Sequence, residues 1–109
     1  MRDTDIVLTF AGCDCRLRIG RYPAGGAVAL QLVSERGREP VATATVNVPD
    51  IDVPPGLVLI KDYSENEGML SVLTEAEVVQ PTGRTVPVGY CHAHICQLLI
   101  HAPEQGEAE

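Results

Sequence analysis

Cys13-Asp14-Cys15-Arg16-Leu17-Arg18-Ile19 decides the fold, because cysteine or an aliphatic residue holds every odd position and a charged residue every even one. Successive side chains leave a strand on opposite sides, so this period of two describes an antiparallel strand with one buried face. Just upstream, residues 6–10 (Ile-Val-Leu-Thr-Phe) repeat the alternation at Ile6, Leu8 and Phe10. Ala11-Gly12 is a turn between the two runs, and the pair reads as a hairpin.

Downstream, Pro23-Ala24-Gly25-Gly26 turns the chain into a third strand at 27–33, with Val28, Leu30 and Leu32 on one face. Residues 35–39 (Glu-Arg-Gly-Arg-Glu) form a polar loop, and a fourth strand is expected at 41–48. Its small, threonine-rich character predicts a central strand crossed closely by a helix. Residues 49–56, with three prolines and two aspartates, are a connector, and Leu57-Val58-Leu59-Ile60 is a fifth short strand. Ser64-Glu65-Asn66-Glu67 has the spacing of a capping box, with Glu65 and Glu67 where a helix dipole favours negative charge. Met69, Val72, Leu73 and Ala76 then supply the buried stripe of that helix. Pro81 stops it, Pro81-Thr82-Gly83-Arg84 turns, and a last strand runs from about Val88 to Ile100.

The expected architecture is therefore α+β: a curved antiparallel β-sheet of five or six strands with one helix packed on it, in the order βββββαβ. Residues 1–101 make the single domain, and residues 102–109 (Ala-Pro-Glu-Gln-Gly-Glu-Ala-Glu) a disordered acidic tail. At 109 residues there is no room for two independent cores. The hydrophobic share of 45% includes no Trp and one Phe, so the core is aliphatic and suits strands. No run approaches the roughly 18 apolar residues of a membrane span. The acidic start, Met1-Arg2-Asp3-Thr4-Asp5, lacks the features of a signal peptide. The cytoplasm of a bacterial host cell is the expected location, with the four cysteines reduced.

The net charge of −7 is unevenly spread. Residues 1–49 set Asp3, Asp5, Asp14, Glu35 and Glu39 against Arg2, Arg16, Arg18, Arg21, Arg36 and Arg38. Residues 50–109 set ten carboxylates against Lys61 and Arg84 alone. Such acidity disfavours direct contact with nucleic acid and steers toward a basic protein surface.

Soft metal ligands occur in two places, Cys13-Asp14-Cys15 and Cys91-His92-Ala93-His94-Ile95-Cys96. On strands Cys13 and Cys15 share a face, as do His92, His94 and Cys96, so neighbouring strands could assemble a zinc site. Neither half has the usual loop spacing of a zinc motif, and core packing explains the same residues. Adjacent Cys91 and His92 point to opposite faces, which denies a thiol nucleophile its base. The turn holding Asp62, Tyr63, Asn66 and Glu67 reads as helix capping or as a ligand or partner site. Arg84 reads as an anion contact or, more simply, as the partner of nearby carboxylates. There is no P-loop, no G-x-S-x-G and no H-E-x-x-H, so neither an enzyme nor a cofactor is expected.

Three stretches resemble a family of small uncharacterised proteins, of the domain-of-unknown-function kind, found in bacteria, phages and mobile elements. They are residues 39–48 (Glu-Pro-Val-Ala-Thr-Ala-Thr-Val-Asn-Val), residues 60–70 (Ile-Lys-Asp-Tyr-Ser-Glu-Asn-Glu-Gly-Met-Leu), and Pro81-Thr82-Gly83-Arg84 with Gly89-Tyr90. The likeness covers roughly residues 14–99, assigns no catalytic residue, and does not include Cys91-His92-Ala93-His94. Small acidic proteins of mobile elements often block host proteins, as anti-CRISPR inhibitors do, which implies an anti-defence protein. The expected function is a non-enzymatic protein-binding module, with Asp62, Tyr63, Glu65, Asn66, Glu67, Glu75, Glu77 and Arg84 meeting a host protein or CRISPR effector complex. The alternative is a zinc-binding or small-ligand-binding accessory protein. No membrane contact is expected, and an open sheet edge leaves room for a homodimer.

Overall fold

A computed structural model describes residues 1–48 and 50–103. Seven strands and one α-helix follow in the order β1 (Arg2–Phe10), β2 (Cys13–Arg21), β3 (Val28–Ser34), β4 (Pro40–Thr43), β5 (Leu57–Ile60), α1 (Met69–Glu75), β6 (Val79–Val88) and β7 (Cys91–Leu98). The protein is α+β and antiparallel, as expected. The strands form two sheets, β1-β2-β3-β4 and β5-β7-β6, where one sheet of five or six was expected.

The alternating stretch behaves as its pattern dictates: Cys15, Leu17 and Ile19 are buried, and Arg16 and Arg18 face outward. Phe10 pairs with Cys13 across a two-residue turn in which Ala11 and Gly12 both have positive φ, 54° and 75°. Mirror-image turns of this kind match the right-handed twist of the flanking strands. From there β2 pairs with β3 in unbroken register, Cys15 opposite Ser34 through Arg21 opposite Val28.

The fourth strand ends at Thr43, well short of residue 48, because the chain leaves the first sheet to join the second. The Ala44 amide donates to the Leu30 carbonyl at 2.8 Å, and the Ala44 carbonyl accepts from the Lys61 amide at 2.8 Å. Thr45 pairs with Ile60 across the gap, and the Val46 amide reaches the Leu59 carbonyl at 3.2 Å. Buried Thr45 also uses its hydroxyl: Oγ1 accepts from the Leu30 amide at 3.1 Å and lies 2.8 Å from the Tyr22 hydroxyl. Residues 44–46 thus stitch the two sheets along one seam. Its small side chains make way for this crossing of sheets, whereas a helix crossing a central strand was expected.

The largest departure is β6, where a turn was expected. Pro81 and Gly83 read as breakers, yet β6 is an edge strand, where residues without an amide proton such as Pro81 and Pro87 are tolerated. The ladder shifts between Pro81 and Arg84, with Gly83 at φ 85°. The Thr82 hydroxyl fills the gap by donating to the Ile95 carbonyl at 2.7 Å. Glycine supplies the bulge conformation that a side chain would strain.

The core gathers one face of each sheet under α1: Leu8, Phe10, Cys15, Leu17, Leu30 and Leu32 meet Val58, Ile60, Met69, Leu73, Val79 and Cys96. Ala102 packs against it and Pro103 is buried, its carbonyl accepting from Arg21 Nε at 2.8 Å. Of the expected tail, Ala102 and Pro103 lie against the fold, and residues 104–109 lie outside the described residues. No helix among the described residues is long and apolar enough to cross a membrane.

Candidate functional site

The expected capping box does not form. Ser64–Asn66 is a separate 3-10 turn, Gly68 intervenes at φ 95°, and α1 starts at Met69. Glu65 and Glu67 therefore precede the helix instead of occupying its first turn. Asp62 takes over the capping role, its Oδ1 accepting the Leu70 amide at 3.0 Å. A carboxylate in that position satisfies one of the donors a helix leaves unpaired at its start.

Asn66 is committed to the fold as well. It is 1% exposed, and its side-chain amide donates to the Thr43 carbonyl at 2.7 Å, tying the 3-10 turn to the first sheet. Lys61 lies 2.7 Å from Glu65, four residues on, and 5.4 Å from the centre of the Tyr63 ring. The hydrogen bond between them lowers the Glu65 pKa below the usual carboxylate value and raises that of Lys61.

Glu67, Glu75 and Glu77 remain. All three are exposed, and among the described residues none forms an ion pair. Glu75 and Glu77 sit at the C-terminal end of α1, which has no basic residue in its last turn. Negative charge there opposes the helix dipole. Glu77 further adopts φ 59°, a left-handed conformation usually left to glycine, while the Val78 amide closes the helix on the Leu73 carbonyl at 2.9 Å. The left-handed conformation of Glu77 thus closes the helix, but its charge opposes the helix dipole. The two ends of this acidic edge, Glu65 with Glu67 and Glu75 with Glu77, are separated by a helix about 10 Å long.

Arg84 lies elsewhere, on β6, at the rim of a groove on the second sheet. It forms no ion pair among the described residues, so the expected pairing with nearby carboxylates does not occur. The groove itself escaped sequence reasoning, because its far wall is the proline-rich connector, which reads as plain loop.

The soft ligands are dispersed. Cys15 belongs to the first sheet and Cys96 to the second, both fully buried in the core. Burial pushes each thiol up to about 11, which favours the protonated form over the thiolate that metals bind. His92 is exposed opposite Pro87, and His94 is half-buried between Ile60 and Thr85. Cys13 bonds locally, 3.7 Å from the Asp14 carbonyl. Among the described residues no three His, Cys, Asp or Glu side chains are placed to hold a metal ion together.

Comparison with known proteins finds no matching family model, no matching curated protein and no matching solved structure.

Proposed function

We propose that the protein is a non-enzymatic binding module whose acidic helix edge docks on a basic protein surface. The observation that supports this reading is the placement of Glu67, Glu75 and Glu77: exposed, without an ion pair among the described residues and, at Glu75 and Glu77, with charge unfavourable to the helix that carries them. Charge that weakens its own element and contacts nothing around it is available to a partner. Unpaired carboxylates accelerate encounter with a basic surface and exclude acidic competitors. Basic grooves of that description line proteins that handle nucleic acid, so the partner class is a nucleic-acid-handling host protein, a CRISPR effector complex included. The protein would block such a groove without touching nucleic acid itself.

The test is a pull-down from bacterial lysate with the wild-type chain beside a Glu67→Lys/Glu75→Lys/Glu77→Lys variant. The variant leaves the Lys61–Glu65 pair intact. Retention of a nucleic-acid-handling complex by wild type alone, weakening as salt is raised, is the expected result. Equal retention by both proteins rules out the acidic edge as the docking site.

A further inference from the structure

A groove of about 330 Å³ crosses the outer face of the second sheet, opposite the core. That volume lies within the roughly 300–1,000 Å³ typical of small-molecule sites, which are mostly apolar with a few placed polar groups. Strand register defines its floor. Leu59 pairs with Ile95, and Ile95 with Arg84, so the three side chains form one row across β5, β7 and β6. Val86 and Leu57 stand two residues along their strands, on the same face. Ile51, Val53 and Pro54 of the connector complete the apolar wall.

Three polar side chains line the groove: Thr82, Arg84 and Asp52. The Thr82 hydroxyl is already engaged, donating to the Ile95 carbonyl and accepting the Arg84 amide at 3.3 Å. The Arg84 guanidinium and the Asp52 carboxylate remain. Each is exposed, and among the described residues neither side chain forms a hydrogen bond or ion pair. Arg84 rises from the sheet, whereas Asp52 belongs to the connector, so opposite charges flank an apolar floor.

We propose that this groove binds a small apolar zwitterion, the chemistry of a free aliphatic amino acid. A guanidinium receives a carboxylate through two parallel hydrogen bonds. A carboxylate receives an ammonium, and the aliphatic floor takes a hydrocarbon side chain. A simple anion would gain Arg84 but face Asp52, and a simple cation would meet the reverse. Only a molecule carrying both charges satisfies both groups. The site is separate from the acidic helix edge and does not depend on its role.

The experiment titrates the whole chain with leucine, with 4-methylpentanoate and with 3-methylbutylamine, followed by methyl resonances. The two analogues keep the hydrocarbon and one charge each. Leucine should shift the Leu59, Val86 and Ile95 methyls and bind about tenfold more tightly than either analogue. Arg84→Gln should abolish the preference for leucine over the amine, and Asp52→Asn the preference over the carboxylate. Both side chains are exposed and uncommitted, so the variants keep the fold, which their amide spectra verify. Absence of shifts with leucine at millimolar concentration overturns the proposal. So does equal binding of either single-charge analogue.

Discussion

On the first sheet Arg16 meets Glu35 at 2.7 Å, and Arg18 and Arg38 converge on Asp3. Around α1, by contrast, Lys61 answers Glu65, while Glu67, Glu75 and Glu77 are exposed and form no ion pair among the described residues. The arginines of the first sheet reach across between β1, β2 and the loop after β3, so their pairs reinforce the strand register that the apolar face already sets. They also fasten backbone: Arg16 donates to the Thr4 carbonyl at 2.9 Å and Arg18 to that of Met1 at 2.7 Å. Among the described residues nothing comparable engages the carboxylates at the far end of α1. One region spends its charge on holding itself together, and the other keeps it free for something else.

The sharpest way to break this contrast is to cut the seam that makes both regions one body. Thr45→Val keeps the shape but leaves the buried Leu30 amide without its acceptor and the Tyr22 hydroxyl with only the Thr45 carbonyl, at 3.2 Å. A loss of about 2 kcal/mol in urea unfolding is expected. A loss below about 0.5 kcal/mol, the range of ordinary surface changes, would mean that the seam does not hold the sheets together. A smaller effect of opposite sign sharpens the contrast. Glu77→Gly relieves both the left-handed strain and the unfavourable charge, so the protein should gain about 0.5–1 kcal/mol. A destabilised variant would show that Glu77 serves the fold after all.

The smallest effect concerns acid. Hydrogen bonds from Arg38 and Arg16 hold the Asp3 and Glu35 pKa values below their ordinary 3.8 and 4.5. A depressed folded-state pKa stabilises the protein fully above the ordinary value and loses that contribution as pH falls through the depressed one. The Asp3→Asn/Glu35→Gln variant should therefore lose less stability than wild type when melting is followed from about pH 6 down to about pH 3. Asp3 is exposed and the Arg16–Glu35 pair is half-buried, so added salt shrinks the difference. Parallel pH profiles would show that the pairs contribute nothing.

Much of the first sheet was legible because its strands have one dry face and one wet face. Cys15, Leu17 and Ile19 alternate with charges, and Ala11-Gly12 marks the turn. The helix stripe was legible too, with Met69 and Leu73 fully buried and Val72 and Ala76 packed at the core margin. Its start was not, because Asp62 caps from eight residues before Leu70, beyond any local motif. The split into two sheets was hidden for the same reason, since the Thr45–Ile60 pairing joins residues fifteen apart that carry no shared pattern. Of the expected partner-binding residues, Asp62 and Asn66 also carry hydrogen bonds of the fold, and Arg84 lies apart on β6. Composition alone exposed the acidic excess, but only the packing separates carboxylates at work from carboxylates at liberty.

The two prolines of β6 bear on how the molecule behaves in a crowded solution. An exposed edge strand is a template for other chains, and long flat ones nucleate aggregates. Pro81 and Pro87 have no amide proton to offer an incoming strand, and the bulge between Pro81 and Arg84 breaks the line such a strand would follow. Adding a strand to that margin would forfeit hydrogen bonds at both prolines. The residues that disguise β6 as a turn thus keep that margin of the second sheet from recruiting copies of the chain.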